Sequence, residues 1–372
     1  MTVEVDNKST IESSISNQLS FKSSIGSNPS EIVSKEKNPS KWKNKKKDSS
    51  SDWHFVISGF ASGCATRFLC QPLDVLKIRF QLQIEPISRS SEISKYRSLS
   101  QTFVSIVREE SIFGLWKGHV SAQILSGIYG MAYFSTFEIL TRTTMKWLFD
   151  HEDYISHKQA IQTKPLVNFV CGSMAGFTGT MLSHPFDVVR TRMVSQSEPK
   201  TYLNTRQAII LMAQKEGLIG FYRGFLPTLM QIMPFSGAQF ATYKFFKDQW
   251  LQQFGCDHIS IRLNDEDRRQ FLIQSSFVCG ALSGFVAKLL VYPLDLVKKR
   301  LQIRGFEEGR GIGFGQTPYY QGFLHCITHT IQTEKFSAFY KGLLPSIFKS
   351  TLSTALHFWL YESFVKLFQE LS

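Results

Sequence analysis

The chain has 372 residues, 43% hydrophobic and 19% charged, with a formal net charge of +12. That length admits one or two soluble domains or a single polytopic membrane domain. The positive surplus would suit a nucleic acid or an anionic lipid surface, but the basic residues are spread between apolar runs and not gathered in one aromatic-studded patch, which argues against nucleic acid. Cys64, Cys70, Cys171, Cys256, Cys279 and Cys326 form no CxxC pair or extracellular framework, which fits reduced or buried thiols.

Residues 1–51 are rich in Ser, Lys and Asn and end in KWKNKKKDSS; they read as a disordered tail. Glu4, Asp6, Glu12, Glu31 and Glu36 within it argue against a cleavable mitochondrial presequence, a class poor in acids. From there the chain alternates two kinds of segment. Phe55 to Leu73 and Val120 to Phe137, then Leu166 to Phe186 and Leu226 to Tyr243, then Phe271 to Leu294 and Leu343 to Tyr361 are nearly free of charge. Each is about long enough for a tilted helix to cross ~30 Å of hydrocarbon. Between the members of each pair lies an amphipathic segment, Tyr96 to Glu109, Tyr202 to Glu216 and Tyr319 to Glu334, predicted as a short helix lying on the membrane surface.

The pairs belong to a threefold repeat. QPLDVLKIRFQLQ from Gln71, HPFDVVRTRMVSQ from His184 and YPLDLVKKRLQ from Tyr292 share Pro-x-Asp-x-x-Lys/Arg. Thirteen residues before the prolines stand Gly59, Gly172 and Gly280, each opening a GxxxG that predicts close helix packing. Downstream come Trp116-Lys117-Gly118, Tyr222-Arg223-Gly224 and Tyr340-Lys341-Gly342. The repeats occupy residues 52–150, 164–256 and 270–370.

These three signatures and their aromatic-basic-Gly triplets resemble the mitochondrial carrier family over residues 53 to 370. The resemblance implies an all-α membrane protein of six transmembrane helices in three tandem pseudosymmetric repeats, multi-pass in the mitochondrial inner membrane, with the amphipathic helices on the matrix side. The chain departs from the family where an acid-Gly pair precedes the triplet: Glu216-Gly217 keeps it, but Glu110-Ser111 and Glu334-Lys335 do not. Longer strings, among them WKGHVSAQILSGIYG, YPLDLVKKRLQIRGFE and PSIFKSTLST, are similar to the members that move thiamine pyrophosphate. They imply uptake of that substrate into the matrix in exchange for a nucleotide.

The family reading gives the signature charges a task. Asp74, Asp187 and Asp295 can pair with Lys77, Arg190 and Lys298 of neighbouring repeats as a matrix gate, in pairs neither too strong nor fully buried. Gln81 and Gln302 match the family's brace position nine residues after the proline; Val194 does not. On the cytoplasmic side the gate motif survives only in part, at Glu138, Lys247 and Glu362, with Arg142 and Lys366 as candidate compensating cations.

Substrate residues should break the symmetry that gates obey. Five residues before the prolines lie Arg67, Thr180 and Lys288; seven after the triplet glycines lie Leu125, Gln231 and Lys349. With histidine counted as neutral, Arg67, Lys288 and Lys349 are the charged side chains of the six apolar cores. Charge at such depth normally faces a cavity and serves function, and three cations suit a diphosphate. Gln231, Ile232 and Leu125 would face the organic part, Gln231 bonding an aminopyrimidine edge while Tyr129 or Tyr133 stacks on a ring.

Other motifs carry less. His325 and His329 in HCITH lack a third ligand, so no metal is expected, and GRGIGFG from Gly309 lacks the Lys-Ser/Thr of a phosphate loop. No nucleophile-base arrangement occurs, so no enzyme and no cofactor are expected. The expected partners are thiamine pyrophosphate and nucleotides as transported ligands and inner-membrane lipids, cardiolipin among them, around a monomer. The alternatives are a carrier of another polyphosphate (nucleotide, deoxynucleotide or coenzyme A) and a carrier-like membrane interaction protein without transport.

Overall fold

The computed structural model describes residues 49–87, 94–150, 157–196, 198, 200–253, 265–310 and 318–370. The predicted tail lies outside the described residues up to residue 48; its last three residues already belong to the first helix. The chain divides into two compact units, Met1–Val56 and Ile57–Ser372; the cores and ion pairs described below lie in the second. The described residues form helices and 3-10 turns, with no strand among them.

Three long helices carry the signatures: α1 (Ser49–Leu82), α4 (His157–Ser195) and α7 (Asp265–Gln302). Each continues through its proline and ends beyond the charged residues. Each is followed by a surface helix: α2 (Leu99–Glu110), α5 (Thr205–Gly220) and α9 (Phe323–Glu334), with the four-residue α8 (Glu307–Arg310) inserted before α9. The second long helix of each repeat is α3 (His119–Asp150), α6 (Phe225–Gln253) or α10 (Leu343–Glu370). The three amphipathic predictions fall on α2, α5 and α9. Ser98 caps α2, its hydroxyl accepting from the Gln101 N–H, a common way to satisfy a first-turn donor.

The long helices run 28 to 39 residues, and all but α10, which begins with its span at Leu343, extend beyond the charge-free spans at both ends. Among the described residues, however, only Ser275–Gln302 is apolar enough by composition to read as a membrane span, with mean hydropathy 1.7. The other helices mix serine, threonine and glycine with large apolar residues. Phe60, Phe134, Phe177, Phe240 and Phe358 all stand exposed on them.

Burial concentrates at the signature end. Val75, Leu76, Phe80, Tyr96, Ile106 and Leu115 join α1, α2 and the turn after it. Val189, Tyr202, Met212 and Phe221, and Leu296, Val297, Tyr320 and Phe339, do the same in repeats 2 and 3. Each such side chain contributes roughly 1.5–3 kcal/mol relative to exposure, so these three small cores fix the helix ends.

One expectation needs correction. The GxxxG glycines do not mediate close packing: a Cβ built on Gly59, Gly63, Gly176, Gly280 or Gly284 would meet nothing within 4 Å, and on Gly172 only ring atoms at 3.9 Å. The close approach is instead at Gly179, where Tyr129 comes within 3.2 Å. The departure from acid-Gly is not a loss of the turn. Ser111 (φ 70°) and Lys335 (φ 68°) adopt the same left-handed backbone as Gly217 (φ 65°), at a cost of ~1–3 kcal/mol each for a residue with a side chain.

Candidate functional site

The ends of α1, α4 and α7 bring the six predicted matrix-gate residues together in a cycle. Arg190 donates to Asp74 at 2.5 Å, Lys298 lies 2.8 Å from Asp187, and Lys77 lies 2.6 Å from Asp295. Each pair joins two repeats, so three pairs close a ring. The side chains are only 6–16% exposed, more buried than expected. Breaking such a pair by removing one partner is accordingly costly, ~3–5 kcal/mol for a buried one.

Each aspartate has further donors, and here the corners differ. Gln81 donates its amide to Asp295 at 3.1 Å. Gln302 donates to Asp187 at 2.8 Å, while Lys299 donates to the other oxygen of Asp187 at 2.9 Å and to the Thr191 hydroxyl and Gln302 amide oxygen. Asp74, whose corner has Val194 at the brace position, receives Lys349 at 2.6 Å. A residue predicted to hold substrate is thus spent on a gate aspartate.

The triplet glycines explain how the corners are held. Gly118, Gly224 and Gly342 have φ of +75°, +75° and +80°, and a Cβ on them would lie 2.9–3.1 Å from the backbone oxygens of Arg190, Lys298 and Lys77. Only glycine fits both constraints. The basic residue before each glycine completes a charged triad inside its own repeat: Lys117 with Arg79 on Glu110, Arg223 with Arg192 on Glu216, and Lys341 with Arg300 on Glu334. Burial pushes the Glu110 carboxyl upward, but hydrogen bonds and charge from Arg79 and then Lys117 prevail and hold it below its ordinary value. Arg79, Arg192 and Arg300 were not singled out from the sequence. The signal was there: each stands seven residues past its proline, and each glutamate seven before its triplet base.

The residue before each proline also does one job with three chemistries. Gln71 Nε2, His184 Nε2 and Tyr292 Oη bond the carbonyl oxygens of Lys117, Arg223 and Lys341, each at 3.1 Å. Neutral His184 therefore carries its proton on Nε2.

The predicted substrate residues are less uniform. Arg67 donates to the Ala122 carbonyl at 3.3 Å. Lys288 is half-buried and has no hydrogen bond or ion pair among the described residues. The Thr180 hydroxyl donates to the Gly176 carbonyl of its own helix, so it has no proton to offer a ligand. Leu125, Gln231 and Ile232 are partly buried. Tyr129 and Tyr133 stack on each other at 6.0 Å, and Tyr133 on Phe137 at 6.2 Å, so the aromatic column packs against α4 instead of standing free.

At the other end of the long helices, Glu138 pairs with Arg142 on its own helix at 2.5 Å, both exposed, and Lys247 lies over the Tyr243 ring. Glu362 is exposed. No ion pair joins two repeats there among the described residues. His325 and His329 stand with ring centroids 5.8 Å apart, and no cluster of three metal-ligating side chains occurs among the described residues.

The family model described as mitochondrial carrier protein matches residues 48–147, 162–254 and 270–372. The chain belongs to the mitochondrial carrier family. It is a multi-pass transporter of the mitochondrial inner membrane. Among similar carriers, the mitochondrial thiamine pyrophosphate carrier of Macaca fascicularis is 40% identical over 315 residues, covering 84% of this chain and 91% of that one. The Homo sapiens protein of the same name is 39% identical over 323 residues, 86% and 93% of the two chains. Mitochondrial thiamine diphosphate carrier 1 of Zea mays is 35% identical over 316 residues, 82% and 91%.

Proposed function

We propose that this carrier takes thiamine pyrophosphate into the matrix in exchange for a nucleotide, by alternating access, with its six long helices as the membrane spans. The relatives' names supply the substrate, and the observation that carries the mechanism is the Lys349–Asp74 contact. The closed matrix ring corresponds to a state that admits substrate from the intermembrane space. A diphosphate descending between the helices meets Lys288, which has no ion-pair partner to give up among the described residues, and Arg67, which donates to the Ala122 carbonyl. It then competes with Asp74 for Lys349. Withdrawing that ammonium weakens one corner of the ring, so binding energy is spent on opening it. Gln231 takes the aminopyrimidine edge, and Leu125 and Ile232 face the rest of the organic part. Thr180 is an acceptor here, not a donor.

The same three cations would hold any polyphosphate, which keeps a nucleotide or coenzyme A carrier as the second reading. At the matrix face a groove of about 970 Å³ is lined by Arg97, Lys335, Leu99 and Leu344 beside the Lys341–Glu334 pair; Arg97, Lys335 and the apolar floor suit the phosphates and chains of an inner-membrane lipid such as cardiolipin. Uptake of labelled thiamine pyrophosphate into liposomes holding the pure protein, empty or preloaded with nucleotide, tests the assignment beside ADP, deoxynucleotide and coenzyme A. Saturable uptake that needs internal nucleotide is expected. Uptake of ADP without thiamine pyrophosphate would overturn it.

A further inference from the structure

The linker between signature helix and surface helix is built differently in repeat 3, and we propose that its residues 303–310 are a strap across the matrix mouth. They fasten the end of α7 to both other repeats and must leave their seat on repeat 2 before the ring can open, which rests on the reading of the ring as the matrix gate.

In repeats 1 and 2 a glutamine two residues past the brace position folds the linker back onto its own repeat. Gln83 donates its amide to the Tyr96 carbonyl and accepts from the Tyr96 N–H, both at 3.0 Å. Gln196 does the same with Tyr202, at 2.9 and 2.8 Å. Repeat 3 has Arg304 there and Tyr320 opposite. A guanidinium has no acceptor to offer a backbone N–H, and Arg304 reaches the Gln321 carbonyl at 2.7 Å and the Tyr319 hydroxyl at 3.1 Å instead. The clamp is replaced in the longest of the three linkers, which runs from the end of α7 at Gln302 to the start of α9 at Phe323.

Without that clamp the chain crosses to its neighbours. Ile303 is buried in the apolar core of repeat 1, together with Val194. The Arg304 carbonyl accepts from Arg192 at 2.8 Å and from Arg223, both of repeat 2. Gly305 turns the chain with φ +76°, and its N–H is held by the Glu307 carboxylate at 3.0 Å. That turn sends Phe306 into repeat 2: its ring stacks on Tyr202 at 4.8 Å and 14°, lies 5.8 Å from the Arg192 guanidinium, and is buried with Val188, Val189 and Met212. α8 then brings the buried Arg310 to the Leu82 carbonyl of repeat 1 at 3.1 Å. Opening the ring separates the ends of α1, α4 and α7, and a segment fastened across them has to let go on one side. The seat on repeat 2 is the separable one, because an apolar ring leaves its pocket at less cost than a buried guanidinium leaves its acceptor.

The test has one arm that needs no substrate. On a background that keeps Cys326 as its one native cysteine, Val194→Cys reports access to the ring from the matrix side, and Cys326, buried under α9, reports general loosening. Phe306→Ser should speed alkylation at position 194 by iodoacetamide about tenfold, the order expected for unseating one buried aromatic side chain, and leave Cys326 unchanged. Phe306→Leu, with a rise of about threefold, replaces it if the serine variant does not fold. Equal acceleration at both cysteines, or at neither, would overturn the proposal. In liposomes, a bis-methanethiosulfonate bridge between Tyr202→Cys and Phe306→Cys should cut exchange at least about tenfold until dithiothreitol is added, as expected for a closure that must open in every cycle. The same bridge between Lys95→Cys and Glu109→Cys, which replaces an ion pair inside repeat 1, should leave exchange within about twofold of the parent. A strap bridged to repeat 2 that exchanges freely would also overturn the proposal. Failure of the unbridged parent to carry thiamine pyrophosphate would count against the substrate assignment alone, because the alkylation arm still reports on the strap.

Discussion

Installing the missing brace is the most direct perturbation of the ring. Val194 is fully buried, with its γ2 carbon 3.2 Å from the Cβ position of Gly118; the γ carbons of Gln302 and Gln81 lie 3.1 and 3.3 Å from those of Gly224 and Gly342. The three side chains therefore start along equivalent paths, and a glutamine at 194 extends toward Asp74. A hydrogen bond to a charged acceptor contributes ~1.5–3 kcal/mol net. Ordering a glutamine side chain costs up to ~2 kcal/mol. The balance is up to ~1 kcal/mol in favour of the closed ring, a shift of up to about fivefold. Val194→Gln should thus raise the thermal midpoint in detergent and lower the initial exchange rate by as much as that factor, and Gln302→Val should lower the midpoint. A Val194→Gln protein that is less stable and exchanges faster would refute the reasoning, because the glutamine would then be crowding the corner instead of bracing it.

Other outcomes follow from single contacts. Lys349→Ala should raise the half-saturating substrate concentration about 10-fold or more, the loss of one charge-assisted bond, whereas Lys247→Ala, whose ammonium only covers Tyr243, should change it less than twofold; initial-rate kinetics in liposomes decide. Ser111→Gly or Lys335→Gly relieves a left-handed backbone and should stabilise by ~1 kcal/mol, read as a higher thermal midpoint. Glu110 has a lowered folded-state pKa, so its stabilisation is complete above its ordinary value of 4.5 and is lost as pH falls further; Glu110→Gln should flatten that acid limb of the stability curve. Burial pushes the Cys326 thiol up to about 12, so at pH 8 its alkylation by iodoacetamide should proceed only as fast as α9 unfolds.

The repeat and its charges were legible because a ring of three corners writes the same residues three times. Asp74, Asp187 and Asp295 sit at equal offsets for the geometric reason that they meet the same kind of partner one repeat away. Arg79, Arg192 and Arg300 were equally periodic but drew no notice: a basic residue on a helix normally reads as solvated, and only their burial against glutamates shows otherwise. The GxxxG glycines misled because glycine spacing says that backbones could approach, not that they do; Gly179, outside the motif, receives Tyr129. Lys349 was found as a charge inside an apolar run, yet its contact with Asp74 could not be read from offsets. It depends on how far a lysine on α10 reaches toward α1, a distance between helices and not along one.

The residues before the prolines show what the symmetry constrains. Gln71, His184 and Tyr292 share neither size nor charge behaviour, yet each ends in a polar atom that reaches the carbonyl of a triplet base. What the scaffold requires there is a donor at a given point, and three side chains satisfy it. At the brace position the requirement is looser still, since a valine is accepted where a lysine from another repeat supplies the missing bond. If the two donors to Asp74 were equivalent to the brace-supported pairs elsewhere, exchanging Val194 for glutamine in a Lys349→Met protein would recover ring stability without recovering substrate affinity. That separation distinguishes a lysine serving two masters from one that merely holds the ring: stability restored together with affinity would mean that Lys349 acts on substrate only through the gate.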